Sequence, residues 1–296
     1  MRLRFRIAAT SLFAVFVSLG TVNLVAADSA YMQSIEKWRQ AYDAKLRSDD
    51  GWLAVAGLFW LHEGQNTFGS AAGNDIVMAS PSLPAKAGYF DLHAGKTMVH
   101  VNSGVPITMG GKTVDTAELR PDSKVDRLVI DDLTLYVHAS GKRFAIRLRD
   151  KNSKLRKEFK GPHWYPVDPA YRITSHYVAY PSPREVEIEN ILGDRGPTYL
   201  VGFVTFSLGG KEYRLDAEDN GDGTLFIVFR DLTSKTETYQ ASRFLDTDAP
   251  KDGSVELDFN KAYNPPCAYN PYTTCPLPSP GNRLQVEIPA GEKRYH

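Results

Sequence analysis

The sequence predicts a mainly β protein: one N-terminal helix followed by two β units. Three observations carry this. Between Ser29 and Leu46 the apolar residues Ile35, Trp38, Tyr42 and Leu46 recur at spacings of three and four, the period of an amphipathic helix. Beyond residue 51 the apolar runs become short and alternating. They are separated by "SAAGN", "HAGK", "NSG" and "MGGK", and turn signals at this density mark a sandwich or barrel.

The first residues precede that scaffold. Arg2, Arg4 and Arg6 stand before an uncharged, largely apolar run from Ile7 to Leu19, and small residues follow at Val25 and Ala27. This pattern predicts a signal peptide over 1–27, cleavage after Ala27 and export to the periplasm or beyond. The run is shorter than the roughly 20 residues of a membrane-spanning helix. Residues 28–50 form the helix. "SDDGWLAVAGLFWL" then turns at Asp50-Gly51 into a buried strand or hairpin with Trp52, Phe59 and Trp60 in the core.

The first β unit occupies 51–160, with strands in "DIVMA", "GYFDL", "TMVHV", "RLVI", "LTLYVH" and "RFAIRLRD". A Pro- and aromatic-rich joint, "RKEFKGPHWYPVDPAYR", leads into a second unit over 161–296. Its strands lie in "YRITSHYVAY", "REVEIENI", "YLVGFVTFSL", "KEYRLDAE", "TLFIVFRD" and "SVELDF". In "DAEDNGDGTL" the acids Asp219 and Asp222 do not fit the alternating ladder of a calcium loop. "NGDG" between two strands reads as a hairpin turn.

Charge and motif exclude more than they identify. The 35 basic and 35 acidic residues balance, which argues against a nucleic-acid partner. "HEGQN" lacks the second histidine of a zinc protease. "MGGKTV" lacks the first glycine of a phosphate loop, where Pro106 stands. There is no Gly-x-Ser-x-Gly elbow. Ser34 and Lys37 have Ser-x-x-Lys spacing, but on a solvated helix face. His163 and His176 flank the aromatic joint, where packing is the commoner role. No cofactor and no metal site are implied.

The most individual stretch is 258–284, "DFNKAYNPPCAYNPYTTCPLPSPGNRL", with six prolines, four asparagines and both cysteines of the chain. A long aperiodic loop is either functional or pinned. In an oxidising compartment Cys267 and Cys275 are expected to bridge, stabilising by about 2.5 kcal/mol through loop entropy, while the prolines stiffen the segment. A free or nucleophilic thiol is the second reading. The polar residues Asp258, Asn260, Lys261, Tyr263, Asn264, Asn282 and Arg283, with Arg230, Asp231 and Arg243, and Arg147 and Arg149 from "AIRLRD", are the candidate lining of a cleft. Such a lining suits a polar small molecule such as a sugar or carboxylate. The same Arg–Asp pairs read equally as structural ion pairs. Two function classes follow: an exported binding protein, or a hydrolase with Asp258 or Asp231 as acid–base and Arg230 or Arg283 as electrostatic stabiliser.

"DDGWLAVAGLFWLHEGQNTFGSAAGNDIVM", "WYPVDPAYR", "FRDLTSKTETYQASRFL" and the 258–284 loop resemble a bacterial and archaeal family known only as domain of unknown function 1684. That resemblance spans nearly all of the chain after Trp38 and implies no activity. "NTFGSAAGNDIVM…GYFDL…GVPITMGGKTVDTAEL" is similar to a forkhead-associated (FHA) domain and implies an FHA-like β-sandwich in the first unit. The Gly-Arg start of such domains reads Gly69-Ser70 here, and "SPSLPAKAG" replaces their Ser-Arg-x-His turn. The resemblance therefore implies the scaffold without phosphothreonine binding.

Overall fold

The computed structural model describes residues 16–296, with side chains from residue 28 onward. The signal peptide expected over 1–27 falls on residues 1–15, outside the described residues, and on 16–27, whose side chains lie outside them too. The N-terminal helix, α1, runs Phe16–Leu46 and ends where the periodicity ends. Ile35 and Leu46 are buried, with Trp38 and Tyr42 half-buried on the same face. Gly51 stops the helix: a Cβ there would lie 2.2 Å from the Leu46 carbonyl oxygen, so only glycine lets the chain fold back on the last turn.

The first β unit is a sandwich of two sheets. One has six strands in the spatial order Val55–Trp60, Arg143–Asp150, Leu133–Ser140, Leu128–Ile130, Thr108–Met109 and Lys112–Thr113. The other has five, in the order Ile76–Val77, Gly64–Gly69, Gly88–His93, Lys96–Val101 and Thr116–Leu119. Their facing residues form one core in which Phe68 and Phe90 stack with centroids 4.6 Å apart. Each fully buried side chain of this kind contributes about 1.5–3 kcal/mol. Trp52 sits in a short turn, Trp52–Ala54, before the first strand, and is half-buried.

The second unit is a six-stranded antiparallel sheet, in the order Arg243–Asp246, Leu225–Phe229, Lys211–Asp219, Arg195–Leu208, Arg172–Glu189 and Ser254–Asp258. "NGDG" is a hairpin turn, with Asp219 opposite Leu225. The chain is thus mainly β after one helix, as its alternation predicts. The sheet buries Val204, Leu215, Ile227 and Leu257 against Phe259, Leu284 and Ile288 of the C-terminal segments. Gly291, at φ +79°, lets the last residues cross this cover: a Cβ would meet the Ala262 carbonyl oxygen at 2.4 Å. The helix docks on the same unit, with Tyr31 Oη donating to Asp258 Oδ1 at 2.9 Å and Arg39 Nη2 donating to the Tyr165 carbonyl at 3.0 Å.

The 258–284 loop is pinned, and its asparagines are the pins. Asn260, Asn264, Asn270 and Asn282 are all at most 4% exposed. Asn270 Nδ2 donates to the carbonyls of Trp52 at 2.8 Å and Val55 at 2.7 Å, tying the loop to the first unit. Asn282 Nδ2 donates to the carbonyls of Asp216 and Val228, both at 2.9 Å, while its Oδ1 accepts from the Asp216 amide. Asn260 exchanges two bonds with the Asp168 backbone, and Asn264 Nδ2 donates to the Lys293 carbonyl. These amides act as detached peptide groups: they satisfy backbone that a loop would otherwise leave orphaned, at about 1–3 kcal/mol per buried group.

The expected disulfide is corrected. Cys267 and Cys275 are free and not at disulfide distance. The Cys267 amide donates to Cys275 Sγ at 3.2 Å, and both side chains pack among Val228, Phe244 and Tyr263. Burial pushes the Cys275 thiol up, whereas the hydrogen bond from Cys275 lowers that of Cys267 against a smaller opposing effect of burial. With asparagines and prolines fixing the loop, no covalent closure is needed. Cys267→Ser should shift the urea midpoint equally with and without reductant; a loss confined to oxidising conditions would restore the bridge.

Candidate functional site

Strand alternation builds the site. On Leu133–Ser140, the side chains of Leu133, Leu135 and Val137 enter the sandwich core, which sends Tyr136 and His138 to the outer face. On the neighbouring Arg143–Asp150, Ile146 and Leu148 face the core and Ala145, Arg147 and Arg149 face out. The register sets Tyr136 opposite Arg147 and His138 opposite Ala145. This outer face is not solvated, because the Cys/Pro loop and α1 close over it. His138 is 8% exposed and Arg147 4%.

A cleft of about 600 Å³ remains between the three elements. Helix α1 contributes Trp38, Tyr42 and Leu46, the first unit Trp52, Asp122, His138 and Arg147, and the second unit Phe226, Phe244, Asp246, Tyr263 and Thr273–Pro276. Trp38 and Tyr42, one helical turn apart, stack at 5.6 Å, and Tyr263 leans on Tyr42 at 5.3 Å. The Tyr263 hydroxyl donates to Asp246 Oδ2 at 2.8 Å, and burial raises its phenol well above the usual range.

Two polar features stand out on these apolar walls. The Arg147 guanidinium lies 5.6 Å over the Trp52 ring. Its one hydrogen bond among the described residues is a long one, 3.5 Å from Nη2 to Thr274 Oγ1, and its buried Nε has no partner. The second feature is a hydrogen-bonded chain. His138 Nδ1 lies 2.8 Å from Asp122 Oδ1, and His138 Nε2 lies 2.7 Å from Thr274 Oγ1. Burial raises the Asp122 carboxyl, but the His138 hydrogen bond and charge outweigh it and hold the group below its ordinary range. An ionised carboxylate only accepts, so Nδ1 carries a proton; in the neutral ring Nε2 then accepts from the Thr274 hydroxyl, and in the charged ring it donates to Thr274 Oγ1. Asp122 adopts φ +53°, a left-handed conformation that Asp tolerates better than most residues. Its amide donates to the Val137 carbonyl, and its Oδ2 accepts from the Ala139 amide.

Of the residues singled out from sequence, the structure brings Arg147, Tyr263, Asn264 and Cys275 to this cleft. Cys267 packs behind Cys275. Arg149 lies over Tyr136 and Trp52 and reaches Asp50 at 3.6 Å. Asp231 and Arg243 are a fully buried ion pair inside the second unit, not a catalytic pair at the cleft. Asp258 is buried: its Oδ1 accepts from the Asn260 amide and Tyr31, and Lys261 Nζ stands 3.8 Å from its Oδ2. Asn260 and Asn282 are loop pins, as above. Arg283 donates to the Pro278 carbonyl, and Arg230 pairs with Arg283 through backbone. The expected single cleft of Arg230, Asp231, Asp258 and Asn264 is therefore not what the fold assembles. Sequence reasoning missed Asp122, His138 and Thr274. The alternation of "LTLYVHAS" could have placed His138 beside Arg147; nothing local pairs either with Thr274.

Residues 157–293 match the family described as "Protein of unknown function (DUF1684)". The chain belongs to the DUF1684 family. The matched segment supplies the Cys/Pro loop, and with it Thr274, but not His138 or Arg147, and it is shorter than the resemblance in sequence implied. Two solved structures are similar. An uncharacterised protein of Haloarcula marismortui, solved by NMR in solution, is 31% identical; the match covers 47% of this chain and 78% of that one, with a TM-score of 0.39. An FHA domain (FHA-1) of Mycobacterium tuberculosis is 12% identical over 32% of this chain and 96% of that domain, with a TM-score of 0.22. Neither shape match is close enough to carry an argument. No curated protein matches the chain. Among the described residues no cluster of three or more His, Cys, Asp and Glu could hold a metal, and no helix is long and apolar enough to cross a membrane.

Proposed function

We propose that this DUF1684 protein binds a small organic acid: an apolar or aromatic body between Trp38, Tyr42 and Trp52, and a carboxylate on Arg147. The observation that carries this is Arg147 itself. A guanidinium 96% removed from solvent ordinarily has a carboxylate partner, since an uncompensated buried charge costs several kcal/mol. Among the described residues no carboxylate forms an ion pair with it; Asp122 of the same cleft is near enough for the Arg147 charge to help lower its carboxyl, without meeting it. Arg147 instead faces a mostly apolar cleft with its Nε unpaired. A planar guanidinium matches a carboxylate through paired hydrogen bonds, and the aromatic walls select the rest of the ligand. This moves the binding cleft from the C-terminal unit, where the sequence suggested it, to the junction of both units with α1.

Thermal melts with a panel of aryl and alkyl monocarboxylic acids test the reading. At 100-fold excess over Kd a ligand stabilises by about 2.7 kcal/mol, which raises the melting temperature by several degrees. Arg147→Met should lose this shift. Equal stabilisation by the corresponding primary amides would reject the carboxylate.

We also propose export of the protein, supported by the Arg-rich head, the apolar run and the small residues before Asp28. N-terminal sequencing of protein from the cell envelope fraction should begin at Asp28. An intact Met1 in the cytosol would overturn it.

A further inference from the structure

We propose that Thr274, His138 and Asp122 form a nucleophile–base–orienter relay that hydrolyses an ester whose acyl part occupies the cleft. The proposal rests on the binding reading above, because the organic acid bound at Arg147 would be the acid released by this reaction. Such relays are recognised by geometry and roles, not by chain order. Here the three roles are filled by atoms in contact, at 2.7 and 2.8 Å. With one ring proton on Nδ1 facing the Asp122 carboxylate, the neutral form of His138 presents its Nε2 lone pair to the Thr274 hydroxyl, which is the arrangement a general base requires.

The surroundings favour chemistry over mere tethering. Thr274 is half-buried and lines the cleft, so an acyl carbon can reach its oxygen. Its neighbours are held: the Thr273 hydroxyl donates to the Asn270 carbonyl at 2.9 Å, and the Cys275 carbonyl accepts from the Ile191 amide at 3.0 Å. Arg147 Nη2 stands 3.5 Å from Thr274 Oγ1, beside the place where negative charge would develop on a carbonyl oxygen. A polar clip between sandwich and loop would not need a buried cation beside the hydroxyl; the half-exposed Asp122 carboxylate fits either role.

The steps balance with water as the only co-reactant. Thr274 Oγ attacks the ester carbonyl carbon while its proton passes to His138 Nε2. The tetrahedral adduct collapses, the bond from carbonyl carbon to alkoxy oxygen breaks, and His138 returns the proton to the leaving alcohol. Water then attacks the acyl-threonine, gives a proton to His138, and the carboxylic acid leaves as Thr274 recovers that proton.

The test uses the full-length protein with p-nitrophenyl phenylacetate, and phenylacetate as the matching acid. The expected result is a p-nitrophenol burst stoichiometric with protein, and an acyl group on Thr274 by peptide mass spectrometry after acid quench. Thr274→Ser should keep both, and Thr274→Val and His138→Gln should abolish them. Asp122→Asn should slow the burst by about 10²–10⁴-fold through the wrong tautomer. Thr274→Val should fold and still show the phenylacetate shift in melting temperature, which separates lost chemistry from a lost scaffold. Absence of acyl-Thr274 in the wild-type protein while phenylacetate still stabilises it would overturn the relay and leave the binding reading standing. Acylation of a lysine or of Cys267 alone would overturn it too. Absence of both acylation and stabilisation would overturn the relay together with the binding reading.

Discussion

Asp231→Asn should destabilise the protein by about 3–5 kcal/mol, the usual cost of removing one partner from a buried ion pair. Asp231 and Arg243 side chains are both 0% exposed and meet at 2.6 Å. Asp231 Oδ1 also accepts from the Thr233 amide at 2.8 Å and the Thr233 hydroxyl at 2.6 Å. Arg243 donates to the carbonyls of Ile288 and Ala290 and lies 5.2 Å over the Phe229 ring. The pair thus joins the end of Leu225–Phe229, the strand Arg243–Asp246 and the C-terminal segment in one polar node. An amide at 231 keeps the shape and removes the charge, so the loss measures the uncompensated guanidinium. The double variant Asp231→Asn/Arg243→Met should be less costly than Asp231→Asn alone, because the stranded charge goes. It will not return to wild type, since two carbonyls lose their donor. Urea melts of the three variants decide this; a loss under about 1 kcal/mol for Asp231→Asn would show that water reaches the guanidinium.

The same node explains what the sequence made legible and what it did not. Local order was readable wherever one side of an element is buried. Ile35, Trp38, Tyr42 and Leu46 mark the helix face, and alternation in Leu133–Ser140 marks the strand, because both patterns record which side is buried. "NGDG" was readable because a tight turn imposes its own residue types. Asp231 and Arg243 read equally as cleft lining or as a structural ion pair, since burial of a pair depends on segments far along the chain. The candidate site was hidden for the same reason. Asp122 comes from a loop, His138 from a strand and Thr274 from a segment more than a hundred residues later. No spacing rule links them; the tertiary fold brings them together. The cysteines misled because close spacing and an oxidising compartment favour a bridge, whereas the buried asparagines already hold the loop.

The stability of the protein should fall between about pH 5 and pH 8 because of Glu292. This residue is 1% exposed, under the 258–284 loop. Its Oε2 accepts from the Asn264 amide at 2.8 Å, and its Oε1 accepts from the Tyr269 hydroxyl. Burial pushes its carboxyl from the ordinary 4.5 up to about 7, outweighing those hydrogen bonds. A folded value above the unfolded one means that the native state holds the proton more tightly. The stabilisation is therefore complete below about pH 4.5 and is lost as pH rises through about 7. A shift of that size corresponds to on the order of 3 kcal/mol at about 1.4 kcal/mol per unit. Glu292→Gln keeps an acceptor for the Asn264 amide and cannot ionise, so it should gain on wild type by roughly that amount between pH 5 and pH 8. Paired urea midpoints at several pH values isolate the effect, because all other titrating groups are common to both proteins. A difference that stays constant with pH would mean that Glu292 ionises without penalty. The consequence reaches the cleft, since Tyr42 and Asn264 line it and Tyr42 Oη lies 3.3 Å from the Tyr269 hydroxyl. Ionising Glu292 strengthens its hydrogen bonds but strands a charge beneath the loop that carries Thr274, and the cost of that buried charge favours opening of the loop. Ligand binding at Arg147 should then weaken over the same pH interval in the wild-type protein and stay level in Glu292→Gln.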